Sequence, residues 1–141
     1  MTPLQQKLLE LYLSLSNESL VSLAEIYSEH IEFVDPVGSH QGITQLKSYF
    51  AHLLSNCITC RFDIHSQDQS EQKLFIRWTM HYAHPMLSSG KLLSLDGISE
   101  LHIEDGLVSF QRDYYDLGAM MYEHVPLLGR AIRRLKQRLS S

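Results

Sequence analysis

A carboxylate at the end of a short alternating segment is the residue in this chain best suited to acid–base chemistry. Ile31, Phe33 and Asp35 occupy alternate positions, which predicts a strand that ends at Pro36 with Asp35 on its core side. A buried carboxylate without a cation partner is costly to ionise, and a general base at physiological pH needs a carboxylate of this kind. The alternative is that Asp35 braces the turn it begins, since Asp-Pro pairs commonly open turns.

The cysteines and histidines do not form a recognisable metal or redox motif. Cys57 and Cys60 make a single C-x-x-C, whereas a structural zinc site needs four ligands. His81 and His84 are the only closely spaced histidines, and residues three apart on a strand face opposite sides. The sequence therefore predicts no metal and, since nothing resembles a phosphate-binding loop, no cofactor.

Helices dominate the first part of the chain. Leucines at helical spacing predict a helix over residues 4–16, and a second helix follows with four residues on its buried face: Leu20, Leu23, Ala24 and Tyr27. After the strand that ends at Asp35, residues 37–42 are predicted to be a loop. A third helix is expected over residues 43–55, burying Leu46, Tyr49, Phe50 and Leu53.

The period then changes to two, which is typical of strands. Apolar residues alternate with polar ones over four segments, 58–65, 74–83, 93–103 and 107–116, and a Glu104-Asp105-Gly106 turn joins the last two as a hairpin. Helices followed by a meander of strands predict an α+β fold, with the helices on one face of a curved antiparallel sheet. A chain of 141 residues fits one domain.

These motifs resemble the nuclear transport factor 2-like superfamily, in its SnoaL-like and ketosteroid-isomerase-like branches. The resemblance rests on Tyr27…Asp35-Pro36-x-Gly38…Gly42…Tyr49-Phe50 and on Glu104-Asp105-Gly106…Asp113-Tyr114-Tyr115-Asp116. It covers nearly the whole chain to about Leu117 and implies a homodimer and a cone in which the curved sheet wraps the N-terminal helices around a pocket. We assign this domain to residues 1–125.

The resemblance also implies roles for individual residues. Asp35 falls on the position of the isomerase's general base, and Tyr12 falls near its oxyanion-hole tyrosine. Ser99 stands where that enzyme has a protonated aspartate, and a serine is a weaker donor. Asp113 brings a second carboxylate to the same pocket, which would separate the two into an acid and a base. The alternative for Asp113 is an ion pair on the sheet with Arg77 or Arg112.

Further side chains are expected to contact the ligand. Gln111, Asp113 and Tyr115 share a strand face that the resemblance turns towards the pocket, and Trp78, Met80 and Tyr82 are expected to line its apolar wall. The alternative for this aromatic stripe is ordinary core. Asp116 is expected to cap the segment that begins at Leu117.

The charge of the chain is divided unevenly. The whole chain carries −4, but residues 126–141 carry +5 with no acid, which leaves −9 on residues 1–125. Leucines recur on one side of this last segment, which predicts a basic amphipathic helix beginning at Pro126. It could bind a membrane surface, bind nucleic acid, or dock on its own body or a partner subunit. We favour docking, because the acidic body repels phosphates and the helix has no Trp or Phe.

The sequence leaves two functions open. One is an isomerase, cyclase or hydrolase type of enzyme that uses Asp35 as a base on an apolar carbonyl, enol or epoxide substrate. The other is a non-catalytic ligand-binding or assembly module on the same fold. The N-terminus lacks the apolar stretch of a signal peptide and no apolar run could span a membrane, so we expect a cytoplasmic protein.

Overall fold

The computed structural model describes residues 1–140, which form one curved sheet with helices on its concave side. The four helices are α1 (Pro3–Leu13), α2 (Ile43–Asn56), α3 (Leu117–Met120) and α4 (Leu128–Ser140). The six strands are β1 (Tyr27–Asp35), β2 (Gly38–Gln41), β3 (Thr59–Ser70), β4 (Lys73–Ala83), β5 (Leu93–Glu104) and β6 (Leu107–Tyr115). Short 3₁₀ turns occupy Ser19–Glu25, Ser88–Gly90 and Tyr122–His124.

The sheet has the order β2-β1-β6-β5-β4-β3. Every neighbouring pair is antiparallel except β1 and β6, which run parallel. The ladders shift register between Ile64 and Ser66 and between His102 and Ile103, and such irregularities bend and twist a sheet. The predicted α+β cone is therefore confirmed, with one parallel pair joining its two halves.

The core lies between the concave face of the sheet and the N-terminal helices. Its side chains are almost fully buried, and they come from α1, the first 3₁₀ turn, α2 and the sheet: Leu8, Leu23, Ile31, Leu46, Leu74, Ile76, Leu101 and Val108. Thr2 caps α1 through a reciprocal pair of hydrogen bonds with Gln5, which satisfies amide groups that the first turn leaves open. This packing fixes α1 against β3 and α2 against β1.

Three local predictions were wrong. The second helix is only the 3₁₀ turn Ser19–Glu25, and Tyr27 already belongs to β1, because pairing with β6 begins at Tyr27. Within that turn Ala24 is exposed. Residues 38–41 of the expected loop form β2, a hairpin partner of β1. On α2, Leu53 is exposed, and Leu54 packs against the core instead.

The chain after the sheet folds back over the end of the cone. Asp116 caps α3 by accepting a hydrogen bond from the amide of Ala119, as predicted. Tyr82 donates a hydrogen bond of 2.7 Å to the carbonyl of Met120, which holds α3 against β4. The segment 117–125 therefore closes part of the concave side before α4 begins.

The basic helix α4 makes its main contacts with the Tyr122–His124 turn. Lys136 forms an ion pair of 3.3 Å with the carboxylate of Glu123, and Arg133 donates to the Glu123 carbonyl. Its leucines do not pack on the body of the protein: Leu135 is 59% exposed and Leu139 is 87% exposed. Docking of the leucine stripe on its own body, one of the two docked arrangements favoured from the sequence, was wrong, because α4 attaches through its polar side to Glu123. No helix within residues 1–140 is long and apolar enough to cross a membrane.

Candidate functional site

Asp35 is held in the turn between β1 and β2. Its Oδ1 accepts hydrogen bonds from the amides of Val37 and Gly38, at 2.9 and 3.0 Å, and its Oδ2 accepts one from the Tyr49 hydroxyl on α2. This is an Asx turn with an added side-chain donor, so the turn-bracing role considered for Asp35 is present. The three donors fix the orientation of the carboxylate while it lies only partly exposed at the end of β1.

Asp113 lies on β6 opposite Ser99 of β5. Its Oδ1 accepts hydrogen bonds from the Ser99 hydroxyl at 2.6 Å and from the Gln111 amide at 2.9 Å. Its Oδ2 accepts no hydrogen bond from residues 1–140, and the side chain lines a surface cleft. Asp113 therefore has one oxygen fixed by the protein and one that a ligand can reach.

Behind Asp113, a buried network of side chains connects β6 with β1 and α1. The Tyr27 hydroxyl donates to Gln111 Oε1 at 2.7 Å, and Gln111 Nε2 donates to the Tyr12 hydroxyl at 3.1 Å. Gln111 is 1% exposed, so each of these groups depends on the others for its hydrogen bonds. The network fixes the Gln111 amide that donates to Asp113.

The surroundings of Asp113 change its acidity. The pKa of Asp113 is raised from 3.8 to about 6, with burial as the largest cause; the hydrogen bonds from Gln111 and Ser99 lower it, and the nearby charge of Asp35 raises it. A carboxylate with this pKa is mostly ionised at pH 7 and is protonated by a small change in its surroundings. These are the properties of a group that accepts a proton and then returns it.

The cleft has a volume of about 500 Å³ and opens where β1 and β6 end side by side. It is lined by Asp35, Pro36, Arg112, Asp113, Tyr114 and Tyr115. Arg112 and Tyr114 project from the other face of β6 and form the rim, where the guanidinium lies over the Tyr114 ring. The two carboxylates singled out from the sequence therefore share one opening.

Two tyrosines beside the carboxylates remain protonated donors. Burial raises the pKa of Tyr115, and the charges of Asp35 and Asp113 raise it further. Burial and the bond to Asp35 likewise raise the pKa of Tyr49. The Tyr115 hydroxyl makes no hydrogen bond to any residue from 1 to 140, so it is available to a ligand in the cleft.

The other side chains assigned to the ligand lie deeper. Trp78, Met80 and Tyr82 are not among the residues that line this cleft. Trp78 is 2% exposed and its indole N–H donates to the Ser99 hydroxyl at 2.9 Å, so it supports Asp113 from behind. The Ser99 hydroxyl donates its proton to Asp113, so it cannot also donate to a ligand.

Asp113 does not form an ion pair with Arg77 or Arg112. Its side-chain partners are Ser99 and Gln111, while Arg77 is an exposed residue of β4 and Arg112 lies over Tyr114. The sheet alternation explains this, because Arg112 and Asp113 are adjacent and therefore face opposite sides. The ion pair considered from the sequence is absent from the part of the chain described.

Sequence reasoning did not assign roles to Tyr27 and Tyr49. Both belong to the motif used for the resemblance, but each interacts with a residue from a distant element. The ring of Tyr49 lies 6.1 Å from that of Phe33, and an aromatic residue on the buried side of α2 was the available signal.

Metal and thiol chemistry have no candidate centre in the residues described. Among residues 1–140, no three His, Cys, Asp or Glu side chains are grouped so that they could hold a metal ion. Cys57 and Cys60 are free thiols, and burial raises the pKa of both, which disfavours the reactive thiolate.

Comparisons with known proteins agree with this architecture. A profile of the SnoaL-like domain matches residues 9–110. A candidate SnoaL-like polyketide cyclase from Jannaschia sp. CCS1 is 14% identical, with a TM-score of 0.76 over 89% of this chain and 96% of that one. No curated protein matches the sequence.

Two further solved structures share the fold with bound small molecules. A hypothetical protein with a ketosteroid isomerase-like fold from Catenulispora acidiphila, in complex with trimethylamine, is 14% identical; its TM-score is 0.74 over 89% of this chain and 96% of that one. TerC co-crystallised with polyporic acid is 16% identical, with a TM-score of 0.72 over 84% of this chain and 95% of that one. At these identities the similarity is one of fold.

Proposed function

The chain belongs to the SnoaL-like domain family of the nuclear transport factor 2-like superfamily, and we propose that it transfers a proton within an apolar small molecule bound in the cleft. The substrate class is a compound with a carbonyl, enol or epoxide group. The observation that carries the proposal is the pairing of Asp35 and Asp113 on one cleft, with the pKa of Asp113 raised to about 6.

Asp113 is the proton carrier in this proposal. Its Oδ2 removes a proton from a carbon next to the substrate carbonyl; the electron pair of that C–H bond forms a C=C bond, and the π pair of the carbonyl moves to its oxygen to give an enolate. Protonated Asp113 then returns the proton to another carbon of the same molecule. A raised pKa suits both steps, because the carboxyl group exchanges its proton near neutral pH.

The tyrosines and Asp35 have supporting roles. The Tyr115 hydroxyl donates to the developing oxyanion and stabilises the negative charge that forms on it. Asp35, fixed by Tyr49 and the turn amides, holds a negative charge near Asp113 and raises its pKa. Tyr12 acts through Gln111 on the orientation of Asp113.

A non-catalytic binding module is the second candidate, and one observation favours it. Asp35, the residue that the resemblance assigned as the base, accepts three hydrogen bonds from the protein. A carboxylate engaged in this way suits a structural role in the turn. In this second candidate the cleft holds an apolar ligand, and Asp113 with Tyr115 gives it polar contacts.

The quaternary structure, the domain and the supporting side chains complete the proposal. We propose that the active unit is a homodimer, as the resemblance implies, and that residues 1–125 form its ligand-binding domain. In this proposal Trp78 supports Asp113 from the core side through Ser99, Gln111 orients it, and Met80 and Tyr82 continue the apolar wall along β4.

Hydrogen–deuterium exchange at carbon tests the proposed reaction directly. A panel of cyclic ketones and β,γ-unsaturated ketones is incubated with the protein in D₂O, and loss of the proton next to the carbonyl is followed by NMR. We expect the wild type to accelerate exchange for at least one compound, and Asp113→Asn to reduce that rate by about 10²-fold or more. The rate with the wild type should rise with pH through about 6.

The control separates catalysis from binding. Asp113→Asn keeps an oxygen to accept from Ser99 and Gln111, so it should bind the same ketone, as measured by calorimetry, while exchange is lost. Exchange by Asp113→Asn at the wild-type rate would contradict the role of Asp113. Ketones that bind the wild type without any exchange would favour the second candidate, a non-catalytic binding module.

A further inference from the structure

The last helix of the chain presents an apolar stripe that the rest of the protein does not cover. Leu128, Leu135 and Leu139 recur at spacings of seven and four residues and are 46%, 59% and 87% exposed. Ile132 lies between them on the same side at helical spacing. Leu127, just before the helix, is 76% exposed.

The remaining sides of α4 are strongly cationic. The helix carries five basic residues and no acid: Arg130, Arg133, Arg134, Lys136 and Arg138. At 3.6 residues per turn, Lys136 and Arg133 flank the leucine stripe on one side and Arg138 and Arg134 on the other, whereas Arg130 lies opposite the stripe. Arg133 and Lys136 contact Glu123, whereas Arg134 is exposed along the other flank. An apolar stripe between two cationic flanks matches a surface that offers apolar chains beneath a layer of negative charge.

A second copy of this chain matches that pattern less well. Pairing α4 with α4 would bring two sets of five cations together. The exposed pair Ile98 and Tyr114 on the outer face of the sheet offers an apolar patch, but Arg112 lies over the Tyr114 ring and repels a cationic helix.

We propose that α4 binds the surface of anionic membranes, with its leucines among the acyl chains and its arginines at the lipid phosphates. The −9 charge of residues 1–125 opposes this binding only at short range, because charges are screened beyond about 8 Å at physiological salt. Glu123 ties the helix to the segment that closes the cone, so binding of α4 holds the domain at the bilayer.

Vesicle sedimentation of the full chain tests this proposal. The probes are vesicles of phosphatidylcholine alone and of phosphatidylcholine with about 30% phosphatidylglycerol. We expect binding at least about tenfold tighter to the anionic vesicles, weakened severalfold when salt is raised from about 50 mM to about 500 mM. No binding by the wild type, or equal binding to both vesicles, would overturn the proposal without any variant.

Paired variants assign the binding to α4. Leu135→Ser with Leu139→Ser, and separately Arg134→Gln with Arg138→Gln, should each reduce binding by about tenfold or more. The matched controls are Leu13→Ser, an exposed leucine of α1, and Lys7→Gln with Lys91→Gln, two exposed cations elsewhere; they should bind as the wild type does.

Sedimentation velocity tests whether a second copy of the chain covers the leucine stripe instead of a membrane. If the leucine variants convert a dimer to a monomer and leave vesicle binding unchanged, the stripe is an interface between copies and the proposal is wrong. All four positions changed on α4 are exposed, so the thermal midpoints should stay close to that of the wild type.

Discussion

Ser99 and Asp113 face each other across β5 and β6, and the serine hydroxyl donates a 2.6 Å hydrogen bond to Oδ1 of the carboxylate. Ser99 in turn accepts from the indole of Trp78 at 2.9 Å. Trp78 donates to Ser99 and Ser99 donates to Asp113, so a chain of hydrogen bonds runs from the core of the sheet to the carboxylate in the cleft. The hydroxyl of Ser99 therefore donates to the carboxylate and not to a ligand.

The stability of the protein should depend on pH through Asp113. The pKa of Asp113 is about 6 in the folded state and 3.8 for the unperturbed group, so folding favours its neutral form. Its stabilising contribution is complete below pH 3.8 and is lost as pH rises through about 6. Asp113→Asn avoids that loss, so its stability relative to the wild type should rise by about 1–3 kcal/mol between pH 4 and pH 7.5.

Urea unfolding at the two pH values measures this difference. Other groups also titrate over the range, but they are common to both proteins and cancel when the two free energies of unfolding are subtracted. An Asp113→Asn effect of equal size at pH 4 and pH 7.5 would show that Asp113 has no raised pKa.

Removing the Tyr27 hydroxyl should destabilise the fold. Tyr27→Phe leaves Gln111 Oε1 without its donor in a site where Gln111 is 1% exposed, at a cost of about 1–3 kcal/mol. Thermal unfolding measures the loss. Tyr122→Phe is the control, since Tyr122 is 37% exposed, and it should change the free energy of unfolding by less than about 0.5 kcal/mol. Equal effects of the two changes would argue against a buried network.

A methyl group at Gly97 should displace the only tryptophan. A Cβ at this position would overlap the six-membered ring of Trp78, which packs directly on the glycine. We expect Gly97→Ala to cost about 1–3 kcal/mol and to shift the fluorescence maximum of Trp78, since the Trp78–Ser99 bond must lengthen. Gly38→Ala has open space around the new methyl and should leave the spectrum unchanged. An unaltered spectrum for Gly97→Ala would mean that the ring does not rest there.

Two substitutions at Asp35 separate its structural role from its charge. Asp35→Ala removes the acceptor for the amides of Val37 and Gly38 and should destabilise the protein by about 1–2 kcal/mol. Asp35→Asn keeps an oxygen for both amides and should retain most of that stability. Chemical denaturation of the two variants gives the comparison. If both lose the same free energy, the charge of Asp35 and not the turn is what the fold needs.

Local sequence patterns predicted where the strands lie better than which strands pair with each other. The alternation of apolar residues located β4, β5 and β6, and turn chemistry located the Asp116 cap, because each depends on neighbours in sequence. The parallel pairing of β1 with β6 and the strand β2 were not predicted, since pairing depends on residues far apart in the chain.

The same limit applies to the candidate site. Asp35 and Asp113 were found from the strand pattern and the resemblance, and the structure brings both to one cleft. Their partners were not predicted, because helical spacing shows that Tyr49 is buried without showing that its hydroxyl meets Asp35. The exposure of the α4 leucines was not predicted either, since amphipathic spacing predicts an apolar face on the helix without showing what packs against it.

The parallel pairing of β1 with β6 also sets when the site can form during folding. Tyr12 and Gln111, joined by a hydrogen bond, are 99 residues apart in sequence, and Tyr27 and Gln111 are 84 apart. Contacts this distant require closure of a long loop, which slows folding. During synthesis the network stays incomplete until β6 has left the ribosome, so a nascent chain that already contains α1, β1 and α2 still exposes the polar side chains meant for Gln111.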